Sequence, residues 1–153
     1  MLEPQIKSKG IAVGSLRKVH HFALNVQNMA ASRYFYGEIL GLHELEGAEV
    51  PSTLVKLKAA GKVTNFKTPD GLIIDLFAEP DLLPPNVDPE KQFTRANHLA
   101  FDIDPQLFDE AVAIIKQNQI AIAQDVVTRP TGRGFYFYDP DGFTIEIRCD
   151  PLP

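Results

Sequence analysis

Cysteine is nearly absent from this chain, with Cys149 the only one among 153 residues. No internal disulfide can form, and a chain of this length buries a sufficient core without disulfide or structural-metal staples. No apolar run approaches the roughly 20 residues that a membrane-spanning helix requires. The N-terminal stretch "MLEPQIKSKGIAVGSL" also lacks the continuous apolar core of a secretory signal. Basic residues are neither clustered nor in excess at a net charge of -5, so nothing would neutralise a row of phosphates. A phosphate-cradling glycine loop, a nucleotide motif and a glutathione-specific signature are missing too. These absences argue against nucleic acid and membrane as partners. They point to a cytoplasmic protein of one domain, with Cys149 an inert thiol. What remains is ordinary globular composition, 44% hydrophobic and 23% charged.

Two stretches stand out against that background. "PDGLIIDLF" (69 to 77) places Asp75 inside an apolar run, and "PDGFTIEIR" (140 to 148) places Glu146 at the same offset from its glycine. Upstream of each acid lies another matching pair, "HFALNV" from His21 and "HLAFDI" from His98. The chain is therefore an internal duplication. Each half continues from its histidine strand into a helical pattern, "MAASRYFYGEIL" (29 to 40) and "PQLFDEAVAIIKQN" (105 to 118), with apolar residues at three- and four-residue steps. About three strands follow each helix. Residues 1–16 read as an N-terminal arm and 17–149 as one domain, its modules at about 17–78 and 97–149 joined by a proline-rich linker, 79–96. The first half is longer between histidine and acid. The surplus falls around "PSTLVKLKAAGK" (51 to 62), a short helix with Ser52 as its cap and a candidate lid.

Alternation along the strands then sorts the side chains, because successive residues point to opposite faces. Phe22, Leu24, Val26, Ile74, Leu76, Leu99, Phe101, Ile145 and Ile147 fall on one face and should pack on the helices. His21, Asp75, His98 and Glu146 fall on the other. If the halves curve toward one another, that face is a cup in which two imidazoles and one or two carboxylates converge. Such a donor set suits a divalent ion (Zn, Ni, Co, Mn or Fe) with positions open for substrate.

The stretches "VHHFALNVQNMAASRYFYGEILGL", "NHLAFDI" and "GFYFYDPDGFTIEIR" resemble the vicinal-oxygen-chelate superfamily, which includes glyoxalase I, fosfomycin-resistance proteins, bleomycin-binding proteins and extradiol dioxygenases. The resemblance implies an α+β fold of two tandem βαβββ modules forming a cupped mixed sheet with helices outside. It also implies His21, His98, Glu146 and Asp75 as metal ligands and a homodimer acting on a small-molecule substrate. His20 precedes the ligand position and by alternation points to the other face, so it reads as structural, and His43, with no counterpart in the second half, as a surface or strand residue.

Three functions fit this family. The first is a lyase or isomerase of the glyoxalase I type, with Glu146 as base. The second is an Fe(II)-dependent dioxygenase using His21, His98 and Glu146, with Tyr136 at the position of that group's active-site tyrosine. The third is a non-catalytic binding protein of the bleomycin-resistance type. Asp75 stands where the family has Glu or Gln and is about 1.5 Å shorter in reach. "VVTRPTGRG" lacks the acid-base histidine that ring cleavage needs. Arg133 and Arg148 are candidates for an anionic substrate group, with surface exposure or an ion pair as the alternatives. Phe77 and Tyr138 are candidate walls of the substrate site, with core packing as theirs.

Overall fold

The computed structural model describes residues 10, 13–14, 17–83 and 98–153. Most of the N-terminal arm and of the proline-rich linker lies outside the described residues.

The first module runs β1 (His21–Val26), α1 (Met29–Arg33), β2 (His43–Glu44), α2 (Val55–Ala59), β3 (Val63–Lys67) and β4 (Ile73–Ala78). The second runs β5 (Leu99–Asp102), α3 (Phe108–Gln117), β6 (Ile122–Arg129), β7 (Gly132–Tyr138) and β8 (Thr144–Cys149). Strand, helix, three strands thus recur as the duplication requires. Each module builds one four-stranded mixed sheet, in the order β1-β4-β3-β2 and β5-β8-β7-β6. The first strand pairs in parallel with the last, and the remaining pairs are antiparallel. Register repeats as well, Ala23 opposite Asp75 in one sheet and Ala100 opposite Glu146 in the other.

Both Pro-Asp-Gly segments form turns closed by a glycine N–H, Gly71 to the Thr68 carbonyl and Gly142 to the Asp139 carbonyl, 2.9 and 3.0 Å. Gly71 and Gly142 have φ of +96° and +82°, a left-handed backbone that side chains disfavour. Here the repeated glycine is a geometric necessity.

The first helix departs from its regular pattern. Asn28 caps it by accepting from the Ala31 N–H at 3.0 Å, but after Arg33 the chain widens into a π-helix, Tyr34–Ile39. The adjacent Phe35 and Tyr36 both enter the core from this wider turn. Gly37 belongs to the same packing, since a methyl group there would stand 3.3 Å from the Phe66 ring. The surplus of the first half is helical, as 51–62 suggested, but Ser52 lies inside its opening 3₁₀ turn and Pro51 holds the cap position with no side-chain bond. Lys58 of α2 fastens to the Leu45 carbonyl at 2.5 Å and to Thr64 Oγ1 at 3.2 Å, so this segment is tied down at that point.

A single core takes the apolar faces of both sheets. Val26, Ile74 and Leu76 from the first share it with Phe135, Phe137, Ile145 and Ile147 from the second, with Phe35, Phe108 and Ile115 from the helices between. Phe35 meets Phe137 at 6.2 Å between ring centres, and the buried Tyr36 hydroxyl donates to Asp139 Oδ2 at 2.8 Å. The helix of one module thus reaches the third strand of the other. Cys149 is buried at the edge of this core. No helix among the described residues is long and apolar enough to cross a membrane.

Candidate metal centre

Because both apolar faces enter one core, the two polar faces look away from it on separate sheets. The histidine-acid pairs accordingly form two half-sites. Among the described residues no three of His, Cys, Asp and Glu approach closely enough to hold a metal ion. The convergence of all four residues, expected if the halves curved toward one another, does not occur within one chain.

The second half-site is compact. His98 immediately precedes β5, and its Nε2 lies 3.0 Å from Glu146 Oε2. Glu146 sits on β8 with 9% of its surface exposed, directly across from Tyr136 on β7. The Tyr136 ring meets His98 edge-on at 5.7 Å between centres, and its hydroxyl lies 3.5 Å from Arg129 Nη1. Gly134 leaves room for the carboxylate: a methyl group there would stand 2.9 Å from Glu146 Oε1.

These residues fit a divalent ion. The 3.0 Å between His98 Nε2 and Glu146 Oε2 is a hydrogen-bonding distance, and it is also about the separation of neighbouring octahedral donors each about 2.1 Å from an ion. Imidazole nitrogen with carboxylate oxygen is the donor chemistry of borderline ions such as Zn(II), Mn(II) and Fe(II).

The first half-site is built differently. His21 opens β1 and is exposed, with its Nδ1 3.0 Å from that of His20 and the two rings edge to face. His20 is therefore not turned to the opposite face, as alternation suggested, because it precedes the strand and is free of its pleat. Asp75, 9% exposed, accepts a hydrogen bond at 2.6 Å from Asn65 Nδ2. Asn65 pairs with Asp75 between β3 and β4 as Tyr136 pairs with Glu146 between β7 and β8. The sequence reading missed it.

The arginines are engaged elsewhere. Arg133 lies on the core side of β7, its guanidinium 2.8 Å from Asp109 Oδ1 and 4.4 Å from the centre of the Phe108 ring. It shares the parity of Phe135 and Phe137, which removes it from the Glu146 face. Arg148 does share that face, but it holds Asp102 at 2.5 Å and Asp150 at 2.8 Å. The hydrogen bonds that it donates to Asp150 and Asp102 keep its guanidinium more basic than usual. The ion pair is the alternative realised. Phe77 stands on the Asp75 face, half-buried beside Val63. Tyr138 is half-buried on the Tyr136 face. His43 pairs at the surface with Glu49 at 2.9 Å.

A sequence model of the Glyoxalase/Bleomycin resistance protein/Dioxygenase superfamily matches residues 18–147. The chain belongs to that superfamily. It is similar to a glyoxalase/dioxygenase from Nostoc punctiforme known as a crystal structure, with 70% identity, 95% of this chain and 99% of that one covered, and a TM-score of 0.89. Metallothiol transferase FosB of Staphylococcus epidermidis is 28% identical over 142 residues, 90% of this chain and 84% of that one. The fosfomycin resistance protein FosX of Listeria monocytogenes, solved as a mutant with Mn(II) and 1S,2S-dihydroxypropylphosphonic acid, shares the fold at 22% identity. Its TM-score is 0.65, over 90% of this chain and 93% of that one. This superfamily member thus has metalloenzymes among its relatives, with its own candidate donors divided between two sheets.

Proposed function

We propose that the protein is a metal-dependent lyase or isomerase of the glyoxalase I type, acting on a small oxygen-chelating substrate at a centre assembled between two copies of the chain. The contact of His98 Nε2 with Glu146 Oε2, set over Gly134, carries this reading. His98 and Glu146 of one copy would hold the ion together with His21, and with Asp75 where it reaches, from the other. A divalent ion there supplies Lewis acidity toward the substrate's paired oxygens. Glu146, on leaving that role, can take a proton from the adjacent carbon and return it to the neighbouring position. Tyr136 and Tyr138 line the same face and exclude water from the reacting atoms. The half-buried Phe77 lines the facing half-site.

The sheet edges support assembly by a second copy. β1 and β5 are each the outermost strand of their sheet, with backbone donors and acceptors directed outward. Open edges of this kind pair readily with another strand. Laying β1 of one copy beside β5 of its partner brings His21 toward His98 and turns two outward faces into one cup. Two-fold symmetry then generates two such centres.

One observation favours a second reaction. The carboxylate of Asp75 is already engaged by Asn65, and if it stays so, His21, His98 and Glu146 remain as the two-histidine, one-carboxylate set of Fe(II) oxygenases. Metal content, electronic spectrum and oxygen uptake of protein purified without added metal separate the two. Iron with oxygen uptake favours the dioxygenase, and a protein with no metal affinity is left with a binding role alone.

Assembly across copies is tested by co-refolding His21→Ala and Glu146→Ala chains, each unable to build a centre by itself. Mixed dimers carry one intact centre, so about a quarter of the parent's Mn(II) sites should return. No recovery beyond the separate variants would place the centre, if any, within one chain.

A further inference from the structure

The first half-site sets two imidazoles side by side, His20 and His21, with 3.0 Å between their Nδ1 atoms. The rings stand at 89° to one another, 5.2 Å between centres, so the contact joins two nitrogens rather than two stacked faces. Both residues are anchored through their backbones. His21 lies opposite Ile73 in the pairing of β1 with β4, and the Ile73 N–H donates to the His20 carbonyl at 3.3 Å. Both side chains are exposed, and among the described residues neither ring has a second hydrogen-bond partner.

A neutral imidazole carries one proton and one lone pair on its two nitrogens, so at this contact one Nδ1 donates and the other accepts. The sense of the bond decides what His21 presents at Nε2. If His20 donates, the His21 proton sits on Nε2 and no lone pair there can face an ion. If His21 donates, its Nε2 is bare and able to ligate. The second module supplies the choice. There His98 meets Glu146 through Nε2, 3.0 Å from Oε2. His21, at the duplicated position, presents the same ring atom when its proton is held on Nδ1.

We infer that His20 is a positioning residue of the first half-site: its Nδ1 accepts the His21 Nδ1–H, fixes that ring and leaves His21 Nε2 as the nitrogen that takes the ion. Ligating histidines commonly give their other ring N–H to a carboxylate, a carbonyl or water. Here the preceding residue of the chain accepts it, and His20 carries its own proton on Nε2. The inference rests on the metal-centre reading above and adds to it a residue that touches neither ion nor substrate.

The test reads tautomer and metal separately in the full chain. Imidazole nitrogen–proton NMR correlations are recorded on metal-free parent, His20→Ala and His20→Asn proteins in mildly alkaline buffer, where unperturbed imidazole is neutral. The His21 signals are assigned by their loss in His21→Ala, and Mn(II) binding is titrated by calorimetry. In the parent, His21 should carry its proton on Nδ1. His20→Ala should shift that proton toward Nε2 and weaken Mn(II) binding by about tenfold or more. His20→Asn, whose Oδ1 extends from Cγ as the lost Nδ1 did, should restore both. A parent His21 protonated on Nε2, Mn(II) affinity unchanged in His20→Ala, or no rescue by His20→Asn overturns this inference while leaving the metal centre intact. A parent protein that binds no Mn(II) overturns the centre itself, and with it the role given to His20.

Discussion

The sharpest perturbation of the candidate centre is the smallest one, Gly134→Ala. A Cβ at this position would lie 2.9 Å from Glu146 Oε1 and 3.4 Å from Tyr136 Cε2. The second distance is ordinary contact, so only the carboxylate has to move. Restoring normal separation withdraws Oε1 by about 0.5 Å, whereas metal-ligand distances tolerate only about 0.2 Å. The fold should hardly notice. What moves is the far end of a flexible side chain, so the strain falls near the low end of the usual overpacking cost, about 1 kcal/mol. Gly134 has no left-handed φ, and replacing such a glycine in a strand recovers about 0.4–1 kcal/mol of unfolded-state entropy. These two effects nearly cancel. The expected outcome is unfolding by urea within about 1 kcal/mol of the parent, together with ten- to hundredfold weaker Mn(II) binding by calorimetry. Unchanged metal affinity would refute the argument that Glu146 must hold its present position against His98.

Gly132→Ala should do the opposite, since a Cβ there would stand 1.9 Å from the Cys149 carbonyl oxygen and φ is +132°. Backbone cannot retreat as a carboxylate can, and the variant is expected to lose more than about 3 kcal/mol or fail to fold, as read by circular dichroism and urea unfolding. Tyr36→Phe tests the buried bond between the modules. It strands Asp139 Oδ2 without its hydroxyl donor, at a cost of about 1–3 kcal/mol in urea unfolding near neutral pH. Burial raises the Asp139 carboxyl above its ordinary value while the Tyr36 hydroxyl opposes that rise, so the variant's folded-state value should climb further. A raised folded value makes the ionised form the costly one. The penalty should therefore stand in full above it and shrink as pH falls through it; a constant penalty from neutral pH to pH 4 would count against this account.

Strand alternation and duplication made much of this architecture legible beforehand. A residue class that recurs at one offset from a repeated turn must recur at one place in a repeated sheet, and Asp75 and Glu146 do so, each opposite an alanine two residues after its histidine. The same logic concealed Asn65. Its counterpart, Tyr136, belongs to another chemical class, so comparing halves for like residues passes over both; the signal was position, ten residues before each acid and on the acid's own face. Arg133 was misplaced for a related reason. Its neighbours Phe135 and Phe137 carry the parity of the core, and Arg133 shares it, with its charge met by Asp109 at the start of α3 and its plane by Phe108.

How the halves meet is the part that alternation cannot encode. A chain whose modules close on their own polar faces and a chain whose modules share an apolar core with those faces outward have the same period-two pattern in every strand. The decision lies in a few long-range contacts. Phe35 follows the point where the first helix widens and lands on Phe137 of β7, while Tyr36 beside it reaches Asp139. The two rings commit the helical side of the first module to the apolar side of the second, with β1 and β5 left as outer strands of their sheets. The intermolecular centre proposed above would depend on these contacts rather than on the pattern of any strand.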